Sequence, residues 1–306
     1  MRKTIFNNFI VMLIVMAVFA LPGCDNTGAS VGASGSSRAT LTKVLAPEAS
    51  GTTVYGGGNV SIDASHTEDG YIMVKYSGGA DKIKIQISKS GEIYTYTCKS
   101  HDYETFPLTE GSGSYKVEVL ENVGGNLYTL AMSKKISANV KDEFSPFLYP
   151  NQYVWFTADS KAVAKARELS DKSGSDLDYV EQVYKYVIKH IKYDNAKAAN
   201  VSTDYVPNID ETLDSGKGIC FDYASLMSSM LRSQGVPTKL VVGYSGTAYH
   251  AWISVWLEET GWVDNIIEFD GKEWSLMDPT LASNNSSKSV KKYIGDGSNY
   301  VVKYNY

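Results

Sequence analysis

The sequence predicts an α+β protein in two folded parts: an all-β part first, then one that mixes helices and strands. Two observations lead there. Between residues 43 and 140 the apolar residues recur with a period of two. After residue 159 the period becomes helical, and after residue 252 it returns to that of a strand. A chain of 306 residues has room for two such domains and an ample core.

The β part reads as short strands with turns between them. Residues 82–88 and 115–119 alternate cleanly, and 60–62, 71–76, 93–98 and 127–132 are further strand candidates. The turn signals are Gly56-Gly57-Gly58, Ser77-Gly78-Gly79, Ser90-Gly91, Gly111-Ser112-Gly113 and Gly124-Gly125. About seven strands at this spacing indicate an immunoglobulin-like sandwich over residues 43–141. No residue in it makes a catalytic case, so its expected role is a spacer that presents the second domain. The 22 tyrosines concentrate in strand-like segments and equally suit a peptide- or glycan-binding face.

Ahead of the sandwich, Arg2 and Lys3 precede an unbroken apolar run of 13 residues, 9–21. That length suits a signal-peptide core and is short for a membrane span. Leu21-Pro22-Gly23-Cys24 resembles a bacterial lipobox. The resemblance implies a signal peptide over 1–23, a lipid on Cys24 and membrane anchoring on the extracytoplasmic face. Residues 24–42, rich in Ser, Gly and Ala, read as a flexible tether.

Composition narrows the partners. There are 29 basic against 34 acidic residues, a net charge of −5, and no basic cluster, so nucleic acid is excluded. Of three cysteines, Cys24 is assigned to lipid, and Cys98 and Cys220 are expected to be reduced. Cys98 and His101 have a metal-like spacing, but no second pair accompanies them, and no metal or cofactor is expected.

Residues 142–158, with Pro146 and Pro150, form the interdomain crossing, and 159–306 the second domain. Ala162, Val163, Ala166 and Leu169 mark a first helix. Ser175 or Asp176 then caps a second, with an apolar stripe of Leu177, Val180, Val183, Tyr184, Val187, Ile188 and Ile191. His190 at its end reads as a favourable charge near a helix C-terminus. Residues 201–213 read as a polar loop bordering a substrate cleft.

Next, Gly216-Lys217-Gly218-Ile219 delivers Cys220 to a helix start, and Ala224, Met227, Met230 and Leu231 give that helix its apolar face. Gly235 and Pro237 end it in the expected order. Residues 240–244 form a buried strand, and Tyr249-His250-Ala251-Trp252 opens another. Beyond it are three β runs, 253–257, 261–269 and 273–278, and a final edge strand over 300–306. One Cys at a helix start, one His on a strand and Asp278 further on are the parts of a thiol acyl-transfer site. A helix N-terminus and an imidazolium both favour thiolate. The imidazole then protonates the leaving amine, while a carboxylate on its other nitrogen fixes the tautomer. The Cys220 N–H is a natural oxyanion donor.

Five blocks in order carry a resemblance: residues 218–224, 231–237, 242–244, 250–252 and 274–280. They resemble the transglutaminase-like superfamily, over roughly residues 160–285. The resemblance implies a papain-like α+β fold with Cys220 as nucleophile, His250 as base and Asp278 as orienting acid. It also implies acyl transfer from a peptide or protein amide, cell-wall peptides among them, to water or an amine. Tyr193 resembles a position near the family's active site. Two aspartates compete for the third place, Asp264 and Asp278. Asp278 is preferred for the Pro279-Thr280 that follows it and on the expectation that the first and third β runs pair directly. A reading from another class, a non-catalytic binding or scaffold module of the same fold, shares these blocks.

Overall fold

An alternating sequence folds as a strand because every second side chain then meets one core. In β4, Ile83–Lys89, the three isoleucines are buried and the residues between them only partly so. The computed structural model describes residues 38–245, 247–264, 267–269, 274–276 and 300–306. The strands before β4 are β1 Val54–Gly57, β2 Val60–Asp63 and β3 Tyr71–Tyr76. After it come β5 Glu92–Cys98, β6 Glu104–Pro107, β7 Gly113–Gly124 and β8 Leu127–Ala138. They form two antiparallel four-stranded sheets, ordered β1-β2-β3-β6 and β5-β4-β7-β8.

The sheets face one another. Tyr96 of β5 meets Phe106 of β6 edge-on at 5.0 Å between centroids, and the Tyr76 hydroxyl of β3 donates to Glu121 of β7 at 2.7 Å. Ile62, Ile72, Ile85 and Val117 are fully buried between them. Each such side chain contributes about 1.5–3 kcal/mol relative to exposure. Two strands escaped the sequence reading. β1 runs through glycines read there as a turn. β6 is four residues long and ends in proline, which its edge position tolerates.

The second half starts with α1 Lys161–Ser170 and α2 Asp176–His190. Ser175 caps α2, its hydroxyl accepting from the Asp178 N–H at 3.1 Å. Then follow β9 Lys192–Tyr193, α3 Asn195–Asn200, α4 Ile209–Ser215, β10 Lys217–Gly218 and α5 Cys220–Ser233. The stripe on α2 packs against α5, where the buried Tyr179 hydroxyl donates to the Met230 carbonyl at 2.8 Å. The last strands are β11 Thr238–Ser245, β12 Ala248–Leu257, β13 Gly261–Val263, β14 Ile267–Phe269, β15 Trp274–Leu276 and β16 Tyr300–Asn305. Their sheet runs β13-β12-β11-β16, with β14 and β15 as a separate hairpin.

Three expectations need correcting. The loop 201–213 contains the start of α4, because Asn208 accepts from the N–H groups of Asp210 and Glu211 at 3.1 and 3.2 Å and so caps a helix there. The run 261–269 is two strands, β13 and β14. Among the described residues the first and third runs do not pair directly either. Gly261, at φ +78°, folds β13 straight back onto the end of β12, and β15 pairs with β14 instead.

Tyrosines and one arginine join the two halves. Tyr96 packs on Tyr153 of the crossing segment and on Tyr306, with centroids 5.6 and 5.7 Å away, and Tyr94 lies 5.4 Å from Tyr304. Arg232, buried near the end of α5, donates to the carbonyls of Thr238, Tyr149 and Tyr306 at 2.8, 3.0 and 2.5 Å. It therefore ties α5 to the crossing segment and to the last strand. Burial pushes its guanidinium down to about 9, which leaves it charged at neutral pH. Residues 38–42, in the segment read as tether, lie against the second half. Arg38 donates to Asp176 at 2.6 Å, and the Leu41 N–H to Gln234 at 3.0 Å.

Candidate active site

The site is assembled by short elements. β10 lies parallel to β9, with Lys217 beside Lys192 and Gly218 beside Tyr193. This bridge sets Tyr193 next to the first turn of α5. A side chain at 218 would stand 2.7 Å from the Asp222 Cβ, so the approach needs glycine. Cys220 is then the first residue of α5.

Asp222, fully buried in the same turn, holds the arrangement together. Its carboxylate accepts from the Ile219 N–H at 2.8 Å, from Lys197 Nζ at 2.7 Å and from the Tyr205 hydroxyl. A carboxylate at the third position of a helix satisfies an orphan N–H and complements the helix dipole. Here it also fixes α3 and the loop after it to the start of α5.

His250 sits on β12 opposite Gly243 of β11. Cys220, His250 and Tyr193 line one cavity of about 500 Å³, together with Tyr153, Tyr205 and Tyr249. Residues 30 positions apart in the chain thus share one chamber. Burial raises the Cys220 thiol above its ordinary range, and the N–H groups of Ala251 and Phe221 pull it down by less. Burial also lowers His250, to about 4. Both groups therefore rest neutral. The helix end and an imidazolium were expected to favour thiolate, but desolvation of the charged forms outweighs them.

Two further features bear on chemistry. His250 Nε2 is buried and has no hydrogen-bond partner among the described residues. The Cys220 N–H, expected to face an oxyanion, meets the Tyr193 hydroxyl, whose own proton is held more tightly because of burial.

The other candidates are placed as follows. Asp278 and Cys24 lie outside the described residues. Asp264 is exposed, and its charge acts on Lys239. Val263 pairs with Val255, so the next position falls opposite Ser254, about 13 Å along the strand from His250. His190 is exposed, with Nδ1 on the Tyr186 carbonyl at 2.7 Å. Cys98 and Cys220 are both free thiols. Cys98 donates to Glu104 at 3.3 Å, and burial together with that carboxylate pushes it up to about 12. His101 Nδ1 is bonded to the Tyr76 carbonyl at 3.2 Å. Among the described residues no three His, Cys, Asp or Glu side chains gather as a metal site. Sequence reasoning missed Asp222, Lys197 and Tyr205. Only Asp222 carried a signal, an acid at the third position of a helix.

Residues 163–265 match the family model described as the Transglutaminase-like superfamily. The chain is 32% identical over 117 residues to the UPF0252 protein MJ1282 of Methanocaldococcus jannaschii, covering 34% of this chain and 33% of that protein. It is 32% identical over 68 residues to a protein-glutamine gamma-glutamyltransferase of Pseudomonas aeruginosa, covering 18% of this chain and 10% of that one. The chain thus spans a third or less of these relatives' lengths. A solved structure from Cytophaga hutchinsonii, described as a candidate cysteine protease, aligns with TM-score 0.32 at 12% identity, over 63% of this chain and 77% of that one.

Proposed function

Residues 163–265 are a transglutaminase-like domain behind a β-rich N-terminal part, and on that premise we propose a thiol acyl-transfer enzyme acting on peptide or protein amides. The observation that carries the reading is the shared cavity of Cys220, at a helix N-terminus, and His250. The resting pair is neutral, so the Sγ proton passes to the imidazole as sulfur attacks the amide carbonyl. The tetrahedral oxyanion is received beside the Cys220 N–H and the Tyr193 hydroxyl. The imidazolium then protonates the departing amine, and a thioester remains. Water or a second amine attacks it, giving hydrolysis or transfer. The open Nε2 of His250 supports Asp278 as the carboxylate that orients the ring.

The same reading places the protein at the extracytoplasmic face of the cell membrane, held by a lipid on Cys24. The lipobox-like Leu21-Pro22-Gly23-Cys24 after the apolar run supports this. Substrates within reach include cell-wall peptides.

Intact-mass analysis tests the activity, with candidate peptides incubated with and without a primary amine. The expected result is deamidated or cleaved peptide without the amine, and amine-conjugated peptide with it. Both products should be absent from Cys220→Ala. Peptides that bind without any mass change would make the protein a binding module of this fold.

A further inference from the structure

The cavity that holds Cys220 and His250 is not built by the second half alone. Thr95, in the middle of β5, is part of its wall. β5 is the edge strand of its sheet, with β4 on one side. The backbone directions along it follow from the ladder. The Asn122 N–H donates to the Lys82 carbonyl at 2.9 Å, so the even-numbered residues of β4 bond to β7 and the odd-numbered ones to β5. Ile83, Ile85 and Ile87 face Cys98, Tyr96 and Tyr94. The N–H and C=O groups of Ile93, Thr95 and Thr97 therefore point away from the sheet. The Thr97 carbonyl confirms the direction, since it accepts from Gln152 Nε2 of the crossing segment at 2.7 Å. Two residues earlier, Thr95 leaves the same two backbone groups on that outer edge, and Thr95 lines the cavity.

The chemistry of the wall narrows the occupant. Among the described residues lining the cavity, none is Asp, Glu, Lys or Arg, and six are tyrosines. The nearest ion pair, Lys197 with Asp222 at 2.7 Å, is closed on itself behind the hydroxyl of the lining Tyr205, and neither partner enters the lining. Desolvating a charged substrate group here has nothing to offset it, whereas an extended uncharged segment finds flat rings and an open strand edge.

Resting on the acyl-transfer reading above, we propose that the substrate is an extended, uncharged peptide segment that adds to the outer edge of β5 at Thr95. The β-sandwich is then half of the substrate site. Its strand edge sets the register of the peptide, and the amide to be attacked is carried to Cys220.

Thr95→Pro tests this. Proline removes one outward N–H and no bond to β4, and edge strands accept it. The probe is a fluorescent peptide of Ala, Thr and Gln with blocked ends, its binding to Cys220→Ala followed by anisotropy. The expected result is binding weakened about tenfold by Thr95→Pro, the loss of one buried hydrogen bond. Alkylation of Cys220 by iodoacetamide in the otherwise wild-type chain should be unchanged by the same substitution. Flanking Glu or Lys residues in the peptide should weaken binding at least as much. Single N-methyl groups walked along the peptide read the same bonds from the other partner, whether or not the proline variant folds. Binding equal in both proteins and insensitive to N-methylation at every position, or no binding at all, overturns the proposal. Binding that Thr95→Pro weakens, with no turnover of any peptide by the wild type, keeps the strand-edge site and refutes the acyl-transfer reading.

Discussion

Among the described residues two thiols are free, and the two halves of the chain treat them differently. Cys98 ends a strand of the sandwich, and Cys220 begins a helix of the second half. Burial raises both. Around Cys98 the donors converge on one carboxylate. Its sulfur donates to Glu104, which also accepts from the N–H groups of Lys99 and Ser100 and from Gln152. Cys220 instead opens on a cavity that His250 also lines. The cavity shared by thiol and imidazole, more than the raised thiol, marks the site.

The comparison breaks most readily at Cys220 itself. Cys220→Ala should lower turnover by about 10⁶-fold, as removal of a nucleophile does elsewhere. In the wild type an alkylating reagent should label Cys220 ahead of Cys98, because burial and then its carboxylate neighbour push Cys98 up to about 12. Peptide mapping of the alkylated protein reads the order, and faster labelling of Cys98 would invert the comparison.

Asp278→Asn should leave the fold intact and lower turnover by about 10³–10⁴-fold through loss of ring orientation. Asp264→Asn should change it less than about threefold, because that carboxylate acts on Lys239. Steady-state kinetics of the two variants, with circular dichroism to check folding, decide between them. A large loss in Asp264→Asn with little in Asp278→Asn would reverse the assignment.

The pH dependence tests whether Asp278 reaches the His250 ring. Burial alone takes His250 to about 4 from an ordinary 6.5. A carboxylate on Nε2 stabilises the imidazolium and moves the titration up. NMR titration of the ring should therefore read about 4 in Asp278→Asn and a higher value in the wild type. With the folded value lowered, the unfolded chain binds more protons between the two values, so stability falls as the pH drops from 6.5 toward 4. Once fully developed below 4, the loss in Asp278→Asn is about 3 kcal/mol. Denaturant midpoints across this range, compared with those of wild type, measure it. Equal ring titrations in both proteins would show that Asp278 does not reach His250.

The smallest expected effect is at the other thiol. Cys98→Ala should cost about 1 kcal/mol of stability and leave turnover within about twofold. Thermal unfolding and the peptide assay check it. A tenfold activity loss would mean that the sandwich thiol matters to the site.

Local pattern was enough for much of this chain. Alternation in residues 83–89, the stripe on 176–190 with its Ser175 cap, and the run from Gly218 through Ala224 each specify an element from short-range physics, because side-chain period and capping are set within a few residues. The same stretch told that Cys220 would start a helix, and the blocks around it resemble the family whose model matches residues 163–265. Short or interrupted elements were not legible: β1 passes through glycines, β6 ends in proline, and α4 depends on one asparagine cap. What only the tertiary structure decided is what long-range packing decides. Burial overrode the helix end and left Cys220 and His250 neutral, since desolvation depends on everything that surrounds a group. The fold-back at Gly261 carried the Asp264 position away from His250. Asp222 gathered Lys197 and Tyr205 from another segment, and β5 brought Thr95 to the cavity wall. A sequence states which backbone groups a strand edge leaves free, but only the packing of one half on the other determines what those groups face.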